Sequence, residues 1–353
     1  MIICFTLFSG VSSIEIVHAQ ESTFSILIDY SHGQDENVLG REVHDPCLFS
    51  NLTAMGYDVT IARGGLNDSI LEGKDCLLLG SIRGDSGCGF SANEILAVQS
   101  WFENDSRFLW VAYDSDWSDF EFSVEFINDN MTAILESIGS HVYGEPTHIW
   151  DNECNLDGAY KPYTNNTGHD PFVAPMVENV GNVIMHGPTL LYGSNNSTPS
   201  HLESPVPLEN NTIENVTPFL YYSPTAYICD SDDFPPIAHT DGQMGEFIAC
   251  TIETNLGWHH RGTVIVSGSG PYGSYCPMYA CSYHIYPLTG HILILQSIEF
   301  GLSLIDPLPN PIPPVTTPTT TSIIAPPDPK LMILALASLG VGVVILFMVF
   351  RKD

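Results

Sequence analysis

Residues 26–34 read ILIDYSHGQ. Phe24 and the apolar run Ile26, Leu27 and Ile28 give way abruptly to Asp29, Tyr30, Ser31, His32, Gly33 and Gln34. A short unbroken apolar run reads as a strand buried on both faces. In open α/β sheets, ligands bind beyond the carboxyl ends of such strands. The stretch therefore predicts a central strand with a polar exit, where Asp29, Ser31 and His32 stand ready for binding or chemistry.

Outward from it, strand and helix patterns alternate. Asp45 to Met55 predicts a helix, Tyr57–Ala62 a strand, and Cys76–Ile82 a strand carrying Leu77-Leu78-Leu79. Ser91-Ala92-Asn93-Glu94 has the spacing of a capping box, in which Ser91 and Glu94 satisfy each other's free backbone donors. Behind it, Ile95, Val98, Trp101 and Phe102 share one helical face. Arg107–Tyr113 predicts a fourth strand. Phe126, Ile127, Met131, Ile134, Leu135 and Ile138 make an amphipathic helix.

Residues 150–225, rich in Asn, Pro, Gly and Ser, interrupt the rhythm as an irregular insertion. Asn182–His186 and Leu190–Tyr192 still read as strands within it. Ala226–Cys229, Glu246–Ile252 and Thr263–Ser267 restore the pattern, and a helix from Thr289 to Ile305 closes it. No internal repeat is present. Short apolar strands separated by helices predict an α/β domain with a mostly parallel, doubly wound sheet of flavodoxin-like or Rossmann-like type. It would occupy residues 20–305.

The ends carry different signals. Residues 1–19 read as a signal peptide: Ile2 to Val11 is mostly apolar, and Val17-His18-Ala19 has the small-residue spacing of a cleavage site. Residues 306–329, DPLPNPIPPVTTPTTTSIIAPPDP, form a Pro/Thr-rich stalk that cannot bury a core. Residues 330–350 predict one transmembrane helix, since Leu331 to Phe350 carries no charge. Arg351 and Lys352 in the tail, 351–353, favour its cytoplasmic placement. The expected localisation is the cell membrane, single-pass, with the main domain extracellular.

Two further patterns fit an exported chain. N-x-S/T sequons occur at Asn51, Asn67, Asn104, Asn130, Asn165, Asn195, Asn196, Asn210 and Asn215, as expected of a glycoprotein. Eight cysteines follow the signal segment, an even number that favours disulfides. Cys276 and Cys281 could close a small loop, and Cys229 and Cys250 lie on two neighbouring strand candidates. No C-x-x-C pair suggests a zinc site.

The chain has 41 acids and 10 bases, a formal net charge of −31. Residues 20–329 hold 39 of the acids and only seven bases. Such a surface repels nucleic acid and anionic lipid. Cations, cationic partners and neutral glycans remain compatible with it, and a solvated acidic exterior is the plainest explanation.

The order ILIDYSHGQ, DCLLLGSIRG, FSANEILAVQSWFEND and RFLWVAYDSD resembles the class I glutamine amidotransferase-like superfamily. Within it, the chain looks like the non-amidotransferase, GIFT-domain-like branch, in an archaeal-type membrane-anchored surface protein. DPFVAPMVENVGNVIMHGPTLLYG and GTVIVSGSGPYGSYCPMYACSYH fit the same order. The resemblance spans nearly all of 24–305. Enzymes of that superfamily use a Cys nucleophile at a strand-to-helix elbow with a later His and Glu. Here the corresponding strand ends Val111-Ala112-Tyr113-Asp114-Ser115-Asp116, with no Cys and no G-x-C-x-G. The late strand runs into Gly268-Ser269-Gly270 with no His-x-Glu after it. Without a thiolate the covalent step of glutamine hydrolysis has no nucleophile.

The strand-end rule gathers Asp29, Ser31, His32, Arg83, Asp85, Asp114, Ser115, Asp116, Gly268 and Ser269 at one rim. They could hold a small ligand or a cation. The plainer reading is that Asp29 and His32 bond the following loop, since loops at strand ends are polar in most sheets. His259 and His260 would point to opposite faces of a strand, and Asp230-Ser231-Asp232-Asp233 lacks the Gly and Glu of a calcium loop. No metal ligand set or cofactor is assigned. Trp101 and Trp110 fit the core pattern. Trp117, Trp150 and Trp258 are the candidates for a glycan platform.

Two functional expectations follow. One is a non-catalytic membrane-anchored surface domain that binds a glycan, a peptide or an envelope protein, and no nucleic acid. The other is an exported hydrolase using the Asp29/His32/Asp114 rim, with or without a metal.

Overall fold

A computed structural model describes residues 24–34, 41–82, 88–115, 124–230 and 234–305. The expected signal peptide, stalk, transmembrane helix and tail lie outside these residues, as do Arg83, Asp85, Asp116 and Trp117. Among the described residues no helix is long and apolar enough to cross a membrane.

The strands that build the fold are β1 (Ser25–Asp29), β2 (Asp58–Ala62), β3 (Cys76–Leu79), β4 (Phe108–Ala112), β5 (Val142–Gly144) and β6 (His148–Asp151). They continue with β7 (Asn166–Thr167), β8 (Leu191–Ser194), β9 (Pro205–Pro207), β10 (Val216–Tyr221), β11 (Ala226–Cys229), β12 (Ile248–Leu256) and β13 (Gly262–Ser267). An eight-stranded sheet has the order β2-β1-β3-β4-β13-β12-β10-β7. Its first five strands are parallel. The last three join antiparallel. The sheet is thus parallel over its larger part, as expected, but mixed, with an antiparallel extension at one edge. The cause is local: Asn255, Gly257 and His260 adopt positive φ (62°, 72° and 54°), so the chain reverses between β12 and β13 as a hairpin.

The helices are α1 (Arg41–Ala54), α2 (Asp68–Leu71), α3 (Ala92–Glu103), α4 (Val124–Ser137), α5 (Ala174–Val177) and α6 (Gly290–Ile305). Alternation along the strands divides the core between two faces. Ile26, Ile28, Leu78, Phe108, Trp110 and Ile265 pack with Leu48 and Leu52 of α1 and with Leu293, Ile294 and Ile298 of α6. Leu27, Leu77, Leu79, Leu109, Val111 and Val264 pack with Val98 and Phe102 of α3 and with Ile134 and Leu135 of α4. Both faces are covered, which is why these strands read as unbroken apolar runs.

Residues 142–229, which span the insertion, form three small sheets: β9-β8-β5, β11-β6, and a pair of two-residue strands, Tyr163–Thr164 with Val183–Ile184. Cys229 therefore lies on a strand that pairs with β6, whereas Cys250 sits in the main sheet. The two are not on neighbouring strands, and Cys250 is a free thiol. Cys276 and Cys281 are also unbridged. Cys276 is buried in an apolar cluster with Leu156, Ile184 and Leu288. Cys281 instead lies near Cys47, whose thiol is pushed up by burial and then by Cys281.

Candidate functional site

The strand order places a topological switch point between β1 and β3, where β2 lies on one side and β4 on the other. This is where an α/β sheet opens a crevice. Here the crevice is filled. Tyr272, fully buried, comes from the loop after β13. Its hydroxyl lies 2.8 Å from the Asp29 carbonyl at the end of β1 and 2.7 Å from the Leu78 carbonyl of β3. It also accepts the backbone N–H of Gly80 at 2.9 Å. The hydroxyl thus shares its one proton between two strand-end carbonyls and accepts the Gly80 N–H, at backbone groups that a ligand would otherwise meet.

Beside it, the sequence Asp29-Tyr30-Ser31-His32-Gly33 folds back on itself. Gly33 takes φ 76°, a turn conformation that glycine tolerates well. Asp29 is wholly buried. Its Oδ2 lies 2.6 Å from Nδ1 of His32 and accepts Nε2 of Gln34 at 3.1 Å. Its Oδ1 accepts the backbone N–H of Ser31 at 3.0 Å. The other ring nitrogen of His32 lies 3.2 Å from Oε1 of Glu94. Glu94 is the third residue of α3 and closes the capping box with Ser91. Its Oε1 also accepts the N–H of Leu66 at 2.9 Å.

His32 is therefore held between two carboxylates with both nitrogens engaged. Burial pulls its pKa down, but the hydrogen bonds and charges of Asp29 and Glu94 outweigh that and leave it above the usual 6.5. Glu94 moves the other way. Burial raises its pKa, and backbone donors from Ser91 and Leu66, then the Ser91 hydroxyl and His32, bring it below the ordinary value. An imidazolium in this clamp has no lone pair to offer a metal or a proton. Among the described residues no group of three or more His, Cys, Asp or Glu is arranged to hold a metal ion.

Asp114 and Ser115 follow β4, and β3 separates β4 from β1. Two strand spacings amount to about 10 Å, so the backbone does not bring the elbow onto the Asp29–His32 pair. The N–H of Ser115 bonds the Gly187 carbonyl at 2.9 Å and Oδ1 of Asp114 at 2.8 Å. The Gly268 turn is stitched into the protein: its N–H donates to Ala249 and its carbonyl accepts from Thr189. A Cβ there would lie 2.0 Å from the Thr189 oxygen, so glycine is required by close approach. The hydroxyls of Ser31 and Ser269 are buried and have no hydrogen-bond partner among the described residues.

Of the tryptophans, Trp150 stacks with His148 and Tyr227. Trp258 is 83% exposed at the β12–β13 turn.

The sequence did not reveal a second clamp, which ties Glu209 of the insertion to residues on either side of it. His239, with its side chain wholly buried, lies 2.7 Å from Oε1 of Glu145 and 3.1 Å from Oε2 of Glu209. Glu145 also accepts three successive backbone N–H groups, from Ile237, Ala238 and His239. Burial lowers the His239 pKa, yet the bonds and charges of both glutamates raise it to about 9. His141 with Glu253 and His201 with Glu136 repeat the pairing at 2.6 and 2.7 Å. In a domain so poor in Lys and Arg, histidine supplies the side-chain partners of partly or fully buried carboxylates. Their partners lie far apart in sequence, so no local spacing marked them.

No family model matches the sequence, and no curated protein matches it. Solved structures do. The mmIFT52 N-terminal domain is 10% identical, with a TM-score of 0.52, over 78% of this chain and 97% of its own. That likeness is one of fold alone. A GMP synthase-type protein from Thermoplasma acidophilum is 10% identical with a TM-score of 0.35, covering 80% and 95% of the two chains. A ThuA-like protein from Bacteroides uniformis is 13% identical with a TM-score of 0.41, covering 79% and 91%.

Proposed function

We propose that the chain is a non-catalytic, membrane-anchored surface domain of GIFT-domain-like, archaeal type that binds a glycan, a peptide or an envelope protein. The observation that carries this reading is Tyr272, which occupies the switch-point crevice where a substrate would sit. Three other features support it. His32 is locked between Asp29 and Glu94, the elbow Asp114-Ser115 has no thiol, and the turn Gly268-Ser269-Gly270 is not followed by the His-x-Glu of an amidotransferase. The stalk, anchor and sequons read from the sequence fit display outside the cell. Eight of the nine sequons agree sterically: Asn67, Asn104, Asn165, Asn195, Asn210 and Asn215 are exposed, and Asn51 and Asn196 are half-buried, whereas Asn130 is buried.

Purified full-length protein in detergent, challenged with glutamine, ester, phosphate and glycoside substrates, is expected to hydrolyse none. Solubilised envelope fractions and immobilised glycans are expected to yield a ligand retained at physiological salt. Hydrolysis abolished by Asp29→Asn or Asp114→Asn would establish the exported hydrolase instead. Failure to retain any ligand would count against the binding reading.

A further inference from the structure

The loop 271–287 and the insertion meet beside the elbow, and aromatic side chains are concentrated there. The ring of His186 lies between Tyr160, at 5.6 Å, and Tyr275, at 5.1 Å. Both tyrosines are 43% exposed. Beneath them Lys161, only 3% exposed, sets its Nζ 4.9, 5.2 and 5.8 Å from the ring centres of Tyr160, Tyr283 and Tyr275. The ammonium also donates to the Tyr283 hydroxyl at 2.8 Å, which fixes the cluster from below. The backbone N–H of Gly187, next to His186, bonds the Tyr160 carbonyl at 2.8 Å. A Cβ built on Gly187 would lie 3.3 Å from Oγ of Ser115 and 3.7 Å from Oδ1 of Asp114. The aromatic cluster is thus continuous with the elbow.

We propose that Tyr160, His186 and Tyr275, with Asp114 alongside, form a subsite for an uncharged sugar residue. This deepens the binding function proposed above and rests on it. Charge selects the ligand. The acidic domain repels anions. A second cation at these rings would meet the Lys161 ammonium, which already draws on their π-electrons. What remains is a neutral molecule with an apolar face to lie on tyrosine and hydroxyl groups to donate to a carboxylate. A pyranose ring has both: one face of C–H groups and a rim of O–H donors. Tyrosines offer large contact area at little cost in conformational freedom, because each has only two side-chain torsions to fix.

The test uses full-length protein in detergent and an array of neutral hexose-containing oligosaccharides, followed by titration of any oligosaccharide retained. Tyr160→Ala and Tyr275→Ala are each expected to weaken binding at least ten-fold. Tyr275→Trp, which keeps a stacking ring, is expected to retain it, and Leu96→Ala, at an exposed position of α3, to leave it unchanged. Thermal melts identify any variant that has lost its fold. In that case shifts of the Tyr160 and Tyr275 ring protons on titration of the native protein decide the question. No retention of neutral oligosaccharides, or binding indifferent to both alanine variants with unshifted rings, overturns the proposal. Retention of an envelope protein without any sugar overturns the subsite but leaves the non-catalytic binding function intact.

Discussion

The Tyr272 hydroxyl lies 2.8 Å from the carbonyl of Asp29, 243 positions earlier in the chain. One side chain from the loop after β13 thereby closes the ends of β1 and β3. Tyr272→Phe removes the hydroxyl and leaves buried backbone groups without a partner. We expect it to cost about 1–3 kcal/mol. Tyr272→Ala also opens a cavity and should cost roughly 3–5 kcal/mol. Urea unfolding of the two variants checks the order.

The His239 clamp makes stability depend on alkaline pH. The folded pKa of about 9 exceeds the ordinary 6.5, so protonation favours the folded state. The stabilisation is fully present below pH 6.5 and is lost as pH rises through 9. At 1.36 kcal/mol per pKa unit, the difference amounts to roughly 3 kcal/mol. His239→Gln should remove this decline, so the gap between native and variant narrows from pH 6 to pH 9.5. Unfolding free energies measured across that range provide the check, and a constant gap would rule the clamp out.

Glu94 joins two roles, and substitution separates them. Ser91→Ala loses the cap alone and should cost about 1 kcal/mol. Glu94→Ala loses the reciprocal cap, the acceptor for Leu66 and the second partner of His32. Its cost should reach roughly 2–4 kcal/mol. The folded pKa of Glu94 is depressed, so its contribution is present above the ordinary value of 4.5 and is lost as pH falls through the folded value. Denaturation of both variants at pH 7 and pH 3 separates the effects.

Much of the scaffold was legible because it is local. Ile26–Ile28, Leu77–Leu79 and Leu109–Val111 are apolar on both faces, and the Ser91/Glu94 box starts α3 at Ala92 as its spacing predicts. The polar rim at Asp29 and His32 was likewise visible, as was the bonding of Asp29 to the loop that follows it, but the direct pairing of the two side chains, three positions apart, was not. What escaped was long-range. Nothing around Tyr272 marks it as the filler of a crevice formed by β1 and β3. Glu145, Glu209 and His239 are separated by tens of residues and meet only after the insertion folds. The mixed sheet was missed for a related reason: the apolar runs of β12 and β13 resemble parallel core strands, and only the turn joining them sets their direction.

Burial also sorts the sequons. Asn130 is 9% exposed on α4, and its Oδ1 accepts the backbone N–H of Phe90 at 2.7 Å. A glycan on its amide would have to enter the core. If the protein is produced through a glycosylating secretory pathway, Asn130 should be unmodified while exposed sites such as Asn67 and Asn104 carry glycans. Site-resolved mass spectrometry of glycopeptides reads this directly, and a glycan on Asn130 would contradict the packing of α4 against Phe90.

The central claim is that the strand-end rim is a closed structural network rather than a reactive site. The most direct test is a pH titration of the His32 ring nitrogens by nitrogen-15 NMR. The imidazolium is expected to predominate at pH 6.5, with a titration midpoint above that value. A neutral ring with an unprotonated Nε2 at pH 6.5, as a general base or metal ligand requires, would contradict it.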